Sequence, residues 1–159
     1  MRLETERLEL VRETIAGCRE RVAALPEEFR AMLSPEWLKL LDEATSEDDW
    51  VLGFAVQRRE DGAELGSCGF KGPPDADGAV EIAYQIEAPH EGKGYATEAA
   101  RALTEYALGR EGVRLVRAHT LREPNASTSV LTKCGFRQTG DYDDPDDGFV
   151  WRWECTAPS

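Results

Sequence analysis

The segment Glu91-Gly92-Lys93-Gly94-Tyr95-Ala96-Thr97-Glu98 lies between a predicted strand and the start of a predicted helix, and it decides the fold. Its two glycines allow a tight turn in which backbone N–H groups point inward and a ligand can approach closely. The helix that follows adds about half a positive charge at its amino end. The turn therefore suits a pyrophosphate group. The structural alternative is a tight turn that needs glycine for its shape alone.

The glycine spacing argues against the two commonest nucleotide motifs. A Walker loop needs G-x-x-x-x-G-K-[ST], and a dinucleotide fingerprint needs G-x-G-x-x-G with an acidic residue about 20 positions later. Gly92-Lys93-Gly94 matches neither pattern. ATP and NAD are therefore disfavoured, and the kind of diphosphate has to be inferred from the rest of the chain.

The elements on either side of this turn predict one crossover unit. Val80–Ile86 has the pattern of a strand, which puts Glu81 on the same face as the residues two and four positions later. Gly94–Leu108 has apolar residues at helical spacing. Leu115–Thr120 predicts another strand. The order strand, helix, strand predicts that the two strands are parallel.

The remaining patterns extend this unit to an α/β fold, more strictly α+β, with a mixed, mostly antiparallel sheet and helices on both faces. Further strands are predicted at Leu8–Val11, Trp50–Gln57, Glu64–Lys71, Phe136–Thr139 and Phe149–Trp153. Helices are predicted within Thr14–Ala44, with breaks at Pro26 and Pro35, and from Asn125 to Cys134. An acidic loop is predicted at Asp141–Gly148. A chain of 159 residues is the right size for one compact domain, so residues 1–159 are predicted to form one.

Composition excludes several classes of partner. The net charge of -12 repels phosphate backbones and anionic lipid surfaces, so we expect no nucleic acid and no membrane partner. The four cysteines are scattered, with no C-x-x-C pair and no histidine cluster, which favours reduced thiols and no metal site. The first residues lack the apolar run of a signal peptide. We therefore expect a cytoplasmic protein.

Four segments follow one another in the order of the motifs of the GNAT superfamily. They are Glu81–Tyr84, Gly92–Ala99, Pro124–Ser127 and Val130–Phe136. With Thr5-Glu6-Arg7-Leu8 and Gly69–Pro74, they make the chain resemble the branch that includes the ribosomal-protein serine and alanine N-acetyltransferases. The resemblance implies the GNAT fold, whose sheet splays after the fourth strand to form a slot for the coenzyme. It is weakest between about Ile15 and Thr45, where the family builds its acceptor site.

The resemblance implies acetyl-coenzyme A as the co-substrate. In the family, backbone amides of the segment matching Glu91, Gly92, Lys93, Gly94, Tyr95, Ala96 and Thr97 hold the pyrophosphate. The strand end at Ile86 and Glu87 is expected to pair with the pantetheine arm, and Asn125 completes the predicted coenzyme contacts. Glu91 departs from the Gln, Arg or Trp usual at its position. We expect its carboxylate to point outward and only its N–H to contribute.

Acylation of an amine by a thioester needs a neutral amine, an oxyanion stabiliser and a proton for the departing thiolate. Glu81 matches the family carboxylate that takes the amine proton, often through water, and would need burial to raise its pKa. Its structural alternative is pairing with a cation. Ser127 matches the family serine near the coenzyme sulfur, as a proton donor or thiolate stabiliser, or else it only caps a helix. Leu131 excludes the tyrosine donor of other branches, and His119 is interpreted as structural.

The predicted function is transfer of an acetyl group to an amine, either a peptide or protein amino terminus or a small amine. Direct attack in a ternary complex is favoured, because no cysteine lies in a motif of a covalent acyl carrier. The alternatives are another acceptor, such as an aminoglycoside, a polyamine or a free amino acid, and a non-catalytic acyl-coenzyme A sensor. The net charge and the aspartates within 141–147 favour a cationic acceptor. A homodimer is left open.

Overall fold

The computed structural model describes residues 2–31, 33–45, 48–120, 122–144 and 148–156. The strands are β1 (Arg2–Glu4), β2 (Leu8–Arg12), β3 (Phe54–Arg58), β4 (Glu64–Phe70), β5 (Ala79–Ile86), β6 (Leu115–Thr120), β7 (Arg137–Asp144) and β8 (Gly148–Thr156). The helices are α1 (Ile15–Ala24), α2 (Glu27–Arg30), α3 (Pro35–Glu43), α4 (Tyr95–Leu108) and α5 (Ala126–Lys133), with a single 3-10 turn at Ala88–His90. None of these described helices combines the length and the apolar character that crossing a membrane requires.

The eight strands form one open sheet in the order β1-β2-β3-β4-β5-β6-β8-β7. Six of its neighbouring pairs are antiparallel, and β5 with β6 is parallel because α4 crosses between them. This parallel pair is short, since it runs only from Ala79 opposite Leu115 to Glu81 opposite Arg117. Beyond Glu81 the two strands are no longer paired. The mixed, mostly antiparallel sheet and its opening after the fourth predicted strand are confirmed.

Helix α4 lies on the sheet because one of its faces is apolar and consists mostly of alanine. The fully buried residues of this face are Ala99, Ala100, Leu103 and Ala107. They join the main apolar cluster of the protein, to which β5 contributes Val80 and Ile82. Because side chains alternate along a strand, Glu81 lies on the opposite face of β5 from α4.

The helices near the amino terminus form a second, smaller apolar cluster. Its buried members are Cys18, Val22, Leu41, Val51 and Leu52. The two prolines interrupt this region as predicted. Pro26 directly precedes α2, and Pro35 is the first residue of α3, where the missing N–H of proline costs no helical hydrogen bond.

Two strand boundaries in the first half of the chain differ from the sequence prediction. The strand β1 was not predicted, because three residues at the sheet edge carry too short a pattern to detect. The strand predicted at Trp50–Gln57 begins only at Phe54. Asp48 causes this delay, because its carboxylate accepts a hydrogen bond from the N–H of Trp50 at 2.8 Å and its carbonyl accepts one from Val51 at 3.1 Å. These bonds hold a turn in place of the strand.

The predicted acidic loop at Asp141–Gly148 is also wrong for most of its length. Residues from Asp141 to Asp144 continue β7, with Asp141 opposite Trp151. Pairing along the long strand β8 outweighs the low strand propensity of aspartate, since that propensity depends strongly on context. Asp146 and Asp147 lie outside the described residues.

Candidate active site

The glycine turn before α4 has the backbone geometry of an anion site. Gly92 and Gly94 have φ angles of +76° and +84°, a region that side chains with a Cβ rarely adopt. Within the described chain, none of the amides from Gly92 to Thr97 donates a well-aligned backbone hydrogen bond. The turn and the first turn of α4 therefore bring together the predicted residues Glu91, Gly92, Lys93, Gly94, Tyr95, Ala96 and Thr97. The side chain of Glu91 is exposed.

Arg7, from the loop between β1 and β2, ties this turn to the start of the chain. Its Nη1 donates to the carbonyl of Lys93 at 3.0 Å, and its Nε donates to Oε1 of Glu98 at 2.8 Å. The backbone N–H of Arg7 and the hydroxyl of Thr5 donate to the other oxygen of Glu98. The guanidinium lies 4.5 Å from the centroid of the Tyr95 ring. Arg7 therefore fixes the carbonyl side of the turn whose amide side is free.

The sequence indicated Thr5 and Arg7 only as part of a resemblance and gave them no role. Burial raises the pKa of Glu98, but the hydrogen bonds from Thr5 and Arg7 lower it by a larger amount. The net pKa of Glu98 therefore lies below its ordinary value. A charged carboxylate in the first turn of a helix is also favoured by the helix dipole. The sequence did contain one indication of this contact. Arg7 and Glu98, the latter at the start of a predicted helix, are opposite charges to which no other partner was assigned.

The opening between β5 and β6 leaves the second half of β5 without a strand on that side. From Ile82 to Ile86 the described chain offers no partner along this edge. The hydroxyl of Tyr84 donates to the carbonyl of Ser127 at 3.4 Å, which brings the start of α5 to the opening. Glu87 is less available than predicted. Its N–H donates to Leu65 and its carbonyl accepts from His90.

Helix α5 begins with a cap made by Asn125 and not by Ser127. Oδ1 of Asn125 accepts from the N–H of Thr128 at 3.0 Å, and the Thr128 hydroxyl accepts from the N–H of Asn125 at 2.9 Å. The hydroxyl of Ser127 has no hydrogen-bond partner within the described chain and is half-buried. The helix-cap interpretation of Ser127 is therefore wrong, and its hydroxyl is free for another contact.

Glu81 opens onto a cavity of about 510 Å³ on the face of the sheet opposite α4. Its Oε2 lies 2.9 Å from Nζ of Lys71 and 3.2 Å from Nδ1 of His119. Burial raises the pKa of Glu81, but His119 and Lys71 lower it more, so the net pKa is below its ordinary value. Burial therefore acts in the direction that a general base needs, but the two neighbours outweigh it. The contact with Lys71 is the pairing with a cation that the sequence offered as the structural alternative for Glu81.

His119 lies beside Glu81, which the sequence did not indicate. The imidazole is buried, stacks on the Tyr142 ring at 5.1 Å between centroids, and accepts a hydrogen bond at Nε2 from Nε of Arg152 at 3.2 Å. Because Nε2 accepts, the proton of the neutral ring lies on Nδ1, the atom nearest to Glu81. That N–H is not well aligned with any acceptor in the described chain. His119 thus lies close enough to Glu81 to influence its charge, without an aligned hydrogen bond that would fix its orientation.

The described residues include no group of three or more His, Cys, Asp or Glu side chains arranged to hold a metal ion.

Residues 7–137 match the family described as the acetyltransferase (GNAT) domain. A curated relative, the uncharacterized N-acetyltransferase YjdG of Bacillus subtilis, is 34% identical over 89 residues. That alignment covers 56% of this chain and 51% of the relative, so the match spans about half the length of YjdG.

Solved structures of the same fold cover nearly the whole chain. RimL, a ribosomal L7/L12 alpha-N-protein acetyltransferase in complex with coenzyme A, has a TM-score of 0.70 at 15% identity, with 98% of each chain covered. AAC(6')-Ib, in complex with ribostamycin and coenzyme A, has a TM-score of 0.68 at 15% identity, covering 95% of this chain and 94% of that one. At such identities the likeness establishes the fold.

Proposed function

Because the chain belongs to the GNAT acetyltransferase family, we propose that it transfers an acetyl group from acetyl-coenzyme A to an amine. The observation that carries this proposal is the run of amides from Gly92 to Thr97 that donate no well-aligned backbone hydrogen bond in the described chain, at the start of α4 and beside the opening of the sheet. Backbone donors at a helix amino end are a favourable site for a pyrophosphate. Residues 1–159 would act as one domain, since strands from both ends of the described chain join a single sheet.

The residues present fit the coenzyme. The amides of the glycine turn would hold the pyrophosphate, and the unpaired edge of β5 near Ile86 would bind the pantetheine arm. Asn125 keeps its amide NH₂ free for a coenzyme contact, because its cap uses only Oδ1 and the backbone N–H. Glu87 contributes less, because its backbone N–H and carbonyl already bond within the chain.

When bound, the thioester would supply the acyl group: an ammonium acceptor would lose one proton, its nitrogen would bond to the carbonyl carbon as the C–S bond breaks, and a second proton from that nitrogen would go to the departing sulfur, which gives amide, thiol and one released proton. Glu81 accepts the proton that an ammonium group must lose before attack, directly or through water. Lys71 and His119 keep this carboxylate charged, and Lys71 pairs with it at 2.9 Å. Ser127 donates a hydrogen bond from its free hydroxyl to the departing sulfur.

The cysteines support direct attack over a covalent acyl-enzyme. A nucleophilic cysteine needs a lowered thiol pKa. Burial instead raises the pKa of Cys68 to about 12, and burial also raises the pKa of Cys18, Cys134 and Cys155. None of the four lines the cavity at Glu81. The amine would therefore attack the thioester itself.

The acceptor is the least constrained part of the proposal. RimL is named for an alpha-amino group of a protein, and AAC(6')-Ib was solved with ribostamycin, so this fold serves both protein and small amines. For this chain, a peptide or protein amino terminus and a small amine are both proposed, with a cationic amine favoured by the net charge of -12. A cytoplasmic location and a homodimer stay predictions.

The first experiment measures thermal unfolding with and without acetyl-coenzyme A, and then thiol release with a panel of amines. A ligand selective for the folded state stabilises it by about 2.7 kcal/mol at a concentration near 100 times its Kd. We expect a clear rise in Tm and turnover with at least one amine. No rise in Tm would contradict the proposal. A rise in Tm with no turnover on any amine would favour the acyl-coenzyme A sensor.

A further inference from the structure

The cavity at Glu81 carries equal numbers of acidic and basic side chains, which is unusual for a site expected to receive a simple cation. The acidic residues in its lining are Glu36, Asp75 and Glu81, and the basic ones are Lys71, Arg117 and Arg152. The cavity is therefore not an acidic pocket. Its character depends on which of these charges are already neutralised within the chain.

Two of the three cations have carboxylate partners. Nζ of Lys71 lies 2.9 Å from Glu81, and Nε of Arg117 lies 2.7 Å from Glu154. Arg117 also lies 3.5 Å from Asp75. Arg152 differs, because no carboxylate of the described chain lies within ion-pair distance of it.

Arg152 is nevertheless held in a fixed position. Its guanidinium lies 3.7 Å from the centroid of the Tyr142 ring, and its Nε donates to Nε2 of His119 at 3.2 Å. These contacts use the ring face and one N–H, so Nη1 and Nη2 keep their donors free of acceptors in the described chain. A planar fork held in this way suits a carboxylate, which it can bind through two parallel hydrogen bonds.

The imidazole ring of His119 lies between the guanidinium group of Arg152 and the carboxylate of Glu81. His119 lies 3.2 Å from Glu81 through Nδ1 and 3.2 Å from Arg152 through Nε2. An acceptor whose ammonium group is at Glu81 therefore reaches Arg152 with an acid group only a few bonds away. The opposite charges of the site match the opposite charges of such a molecule.

We propose that the acceptor is a small zwitterionic amine, an amino acid or a short peptide, whose carboxylate is bound by Arg152. This inference rests on the proposed function and replaces the simple cationic amine favoured there by an amine that also carries a carboxylate. A zwitterion has no net charge, so the negative surface of the protein does not repel it. Once its ammonium group has lost a proton at Glu81, its nitrogen attacks the thioester with the same balance of bonds and protons as any amine.

The test compares amines in matched pairs. Glycine, β-alanine and 4-aminobutanoate place the amine and the acid at increasing separations, and the carboxamide of each removes the negative charge alone. Their kcat/KM values are measured by thiol release at saturating acetyl-coenzyme A, and their binding without acetyl-coenzyme A by NMR shifts of the protein. For at least one separation, we expect the acid to exceed its amide by about 10-fold to 100-fold, as for loss of a charge-assisted contact.

Arg152→Gln should bring the ratio of acid to amide close to one, and Arg152→Lys should keep part of it. The matched control is Arg137→Gln, which removes the same charge from an exposed position of β7 outside the cavity and should keep the ratio. Because the ratio is taken within each variant, partial unfolding cancels. The differing basicity of the amines is removed by expressing each kcat/KM per concentration of unprotonated amine.

Two results would overturn the inference. One is a wild-type protein that acetylates amides as well as acids, or that acetylates no zwitterion at any separation. The other is an Arg152→Gln variant with an unchanged ratio. In both cases, stabilisation by acetyl-coenzyme A would leave the proposed function standing, whereas its absence would remove the function and the inference together.

Discussion

The glycine turn and the Glu81 cavity lie on opposite faces of one sheet and are built in opposite ways. The turn is made of seven consecutive residues, Glu91–Thr97, and offers backbone N–H groups. The cavity is made of side chains from α3, from the segment after β4, and from four strands. A site made of consecutive backbone can be recognised along the chain. A site made of distant side chains exists only once the chain is folded.

Arg7 links the glycine turn to a distant part of the chain. Although the ligand groups of the turn are local, its carbonyl side depends on an arginine that is 86 positions away in the sequence from Lys93. The groups of the turn that would bind a ligand therefore come from consecutive residues, whereas the hydrogen bond that holds the turn in place comes from a distant one. Substitutions can separate these two properties from each other and from the chemistry of the cavity.

The largest effect is expected for Gly94→Val. A non-glycine residue in this left-handed conformation costs about 1–2 kcal/mol, and the added Cβ would lie 3.3 Å from Nη2 of Arg7. The turn should be displaced, and affinity for acetyl-coenzyme A should fall on the order of 100-fold, equivalent to about 2.7 kcal/mol. Calorimetric titration and the Tm shift measure this loss.

The control for that variant is Gly109→Ala at the other end of α4, where φ is -85° and any residue is tolerated. It should bind acetyl-coenzyme A as the wild type does. Equal affinity of Gly94→Val and Gly109→Ala would mean that the turn does not hold the coenzyme.

Glu81→Gln tests the cavity without touching the turn. Loss of a general base lowers kcat on the order of 100-fold, while the Kd for acetyl-coenzyme A should stay unchanged. Glu9→Gln, which alters a carboxylate paired with Arg2 at the sheet edge, is the control. A normal kcat in Glu81→Gln would assign Glu81 to a structural role.

The pH profile sharpens the same test. The net pKa of Glu81 lies below its ordinary value of 4.5, so the carboxylate loses its charge only when the pH falls below that range. Near neutral pH it is already charged, and the acid limb of kcat/KM should report the acceptor amine. Glu81→Gln should therefore lower the whole profile without shifting that limb. If the acid limb of the wild-type kcat/KM profile disappeared in Glu81→Gln, that limb would report Glu81 itself, which would contradict the lowered pKa of Glu81.

Arg7→Ala should have an intermediate effect, because it removes the support of the turn and leaves its amides in place. We expect the KM for acetyl-coenzyme A to rise about 10-fold, the value of one charge-assisted contact, with kcat unchanged. Arg7→Lys should restore part of the affinity. Arg2→Ala, which breaks an exposed ion pair with Glu9, is the matched control. A fall in kcat at constant KM would disprove a positioning role.

The smallest effects separate Asn125 from Ser127 at the start of α5. Asn125→Ala removes the cap and should lower the free energy of unfolding by about 1 kcal/mol. Ser127→Ala should leave stability within about 0.5 kcal/mol of the wild type, while lowering kcat a few-fold. Denaturant unfolding and steady-state kinetics measure the two effects. Loss of stability in Ser127→Ala with normal kcat would reverse the assignment.

The sequence by itself determined the crossover unit, the glycine turn and the membership of the family. Glycine with positive φ, an apolar stripe at helical spacing and the amino end of a helix are all properties of neighbouring residues. Their physical consequences do not depend on how the rest of the chain folds. The predictions for β5, α4 and α5 were accordingly close to the structure.

Only the tertiary structure decided the state of the side chains. The direction of the pKa shift of Glu81 depends on Lys71 and His119, which lie 10 and 38 positions away in the sequence. The free fork of Arg152 and the strand at Asp141–Asp144 likewise depend on pairing between β6, β7 and β8. Electrostatic interactions depend on distances of a few ångströms, and only the folded chain brings such distant residues that close.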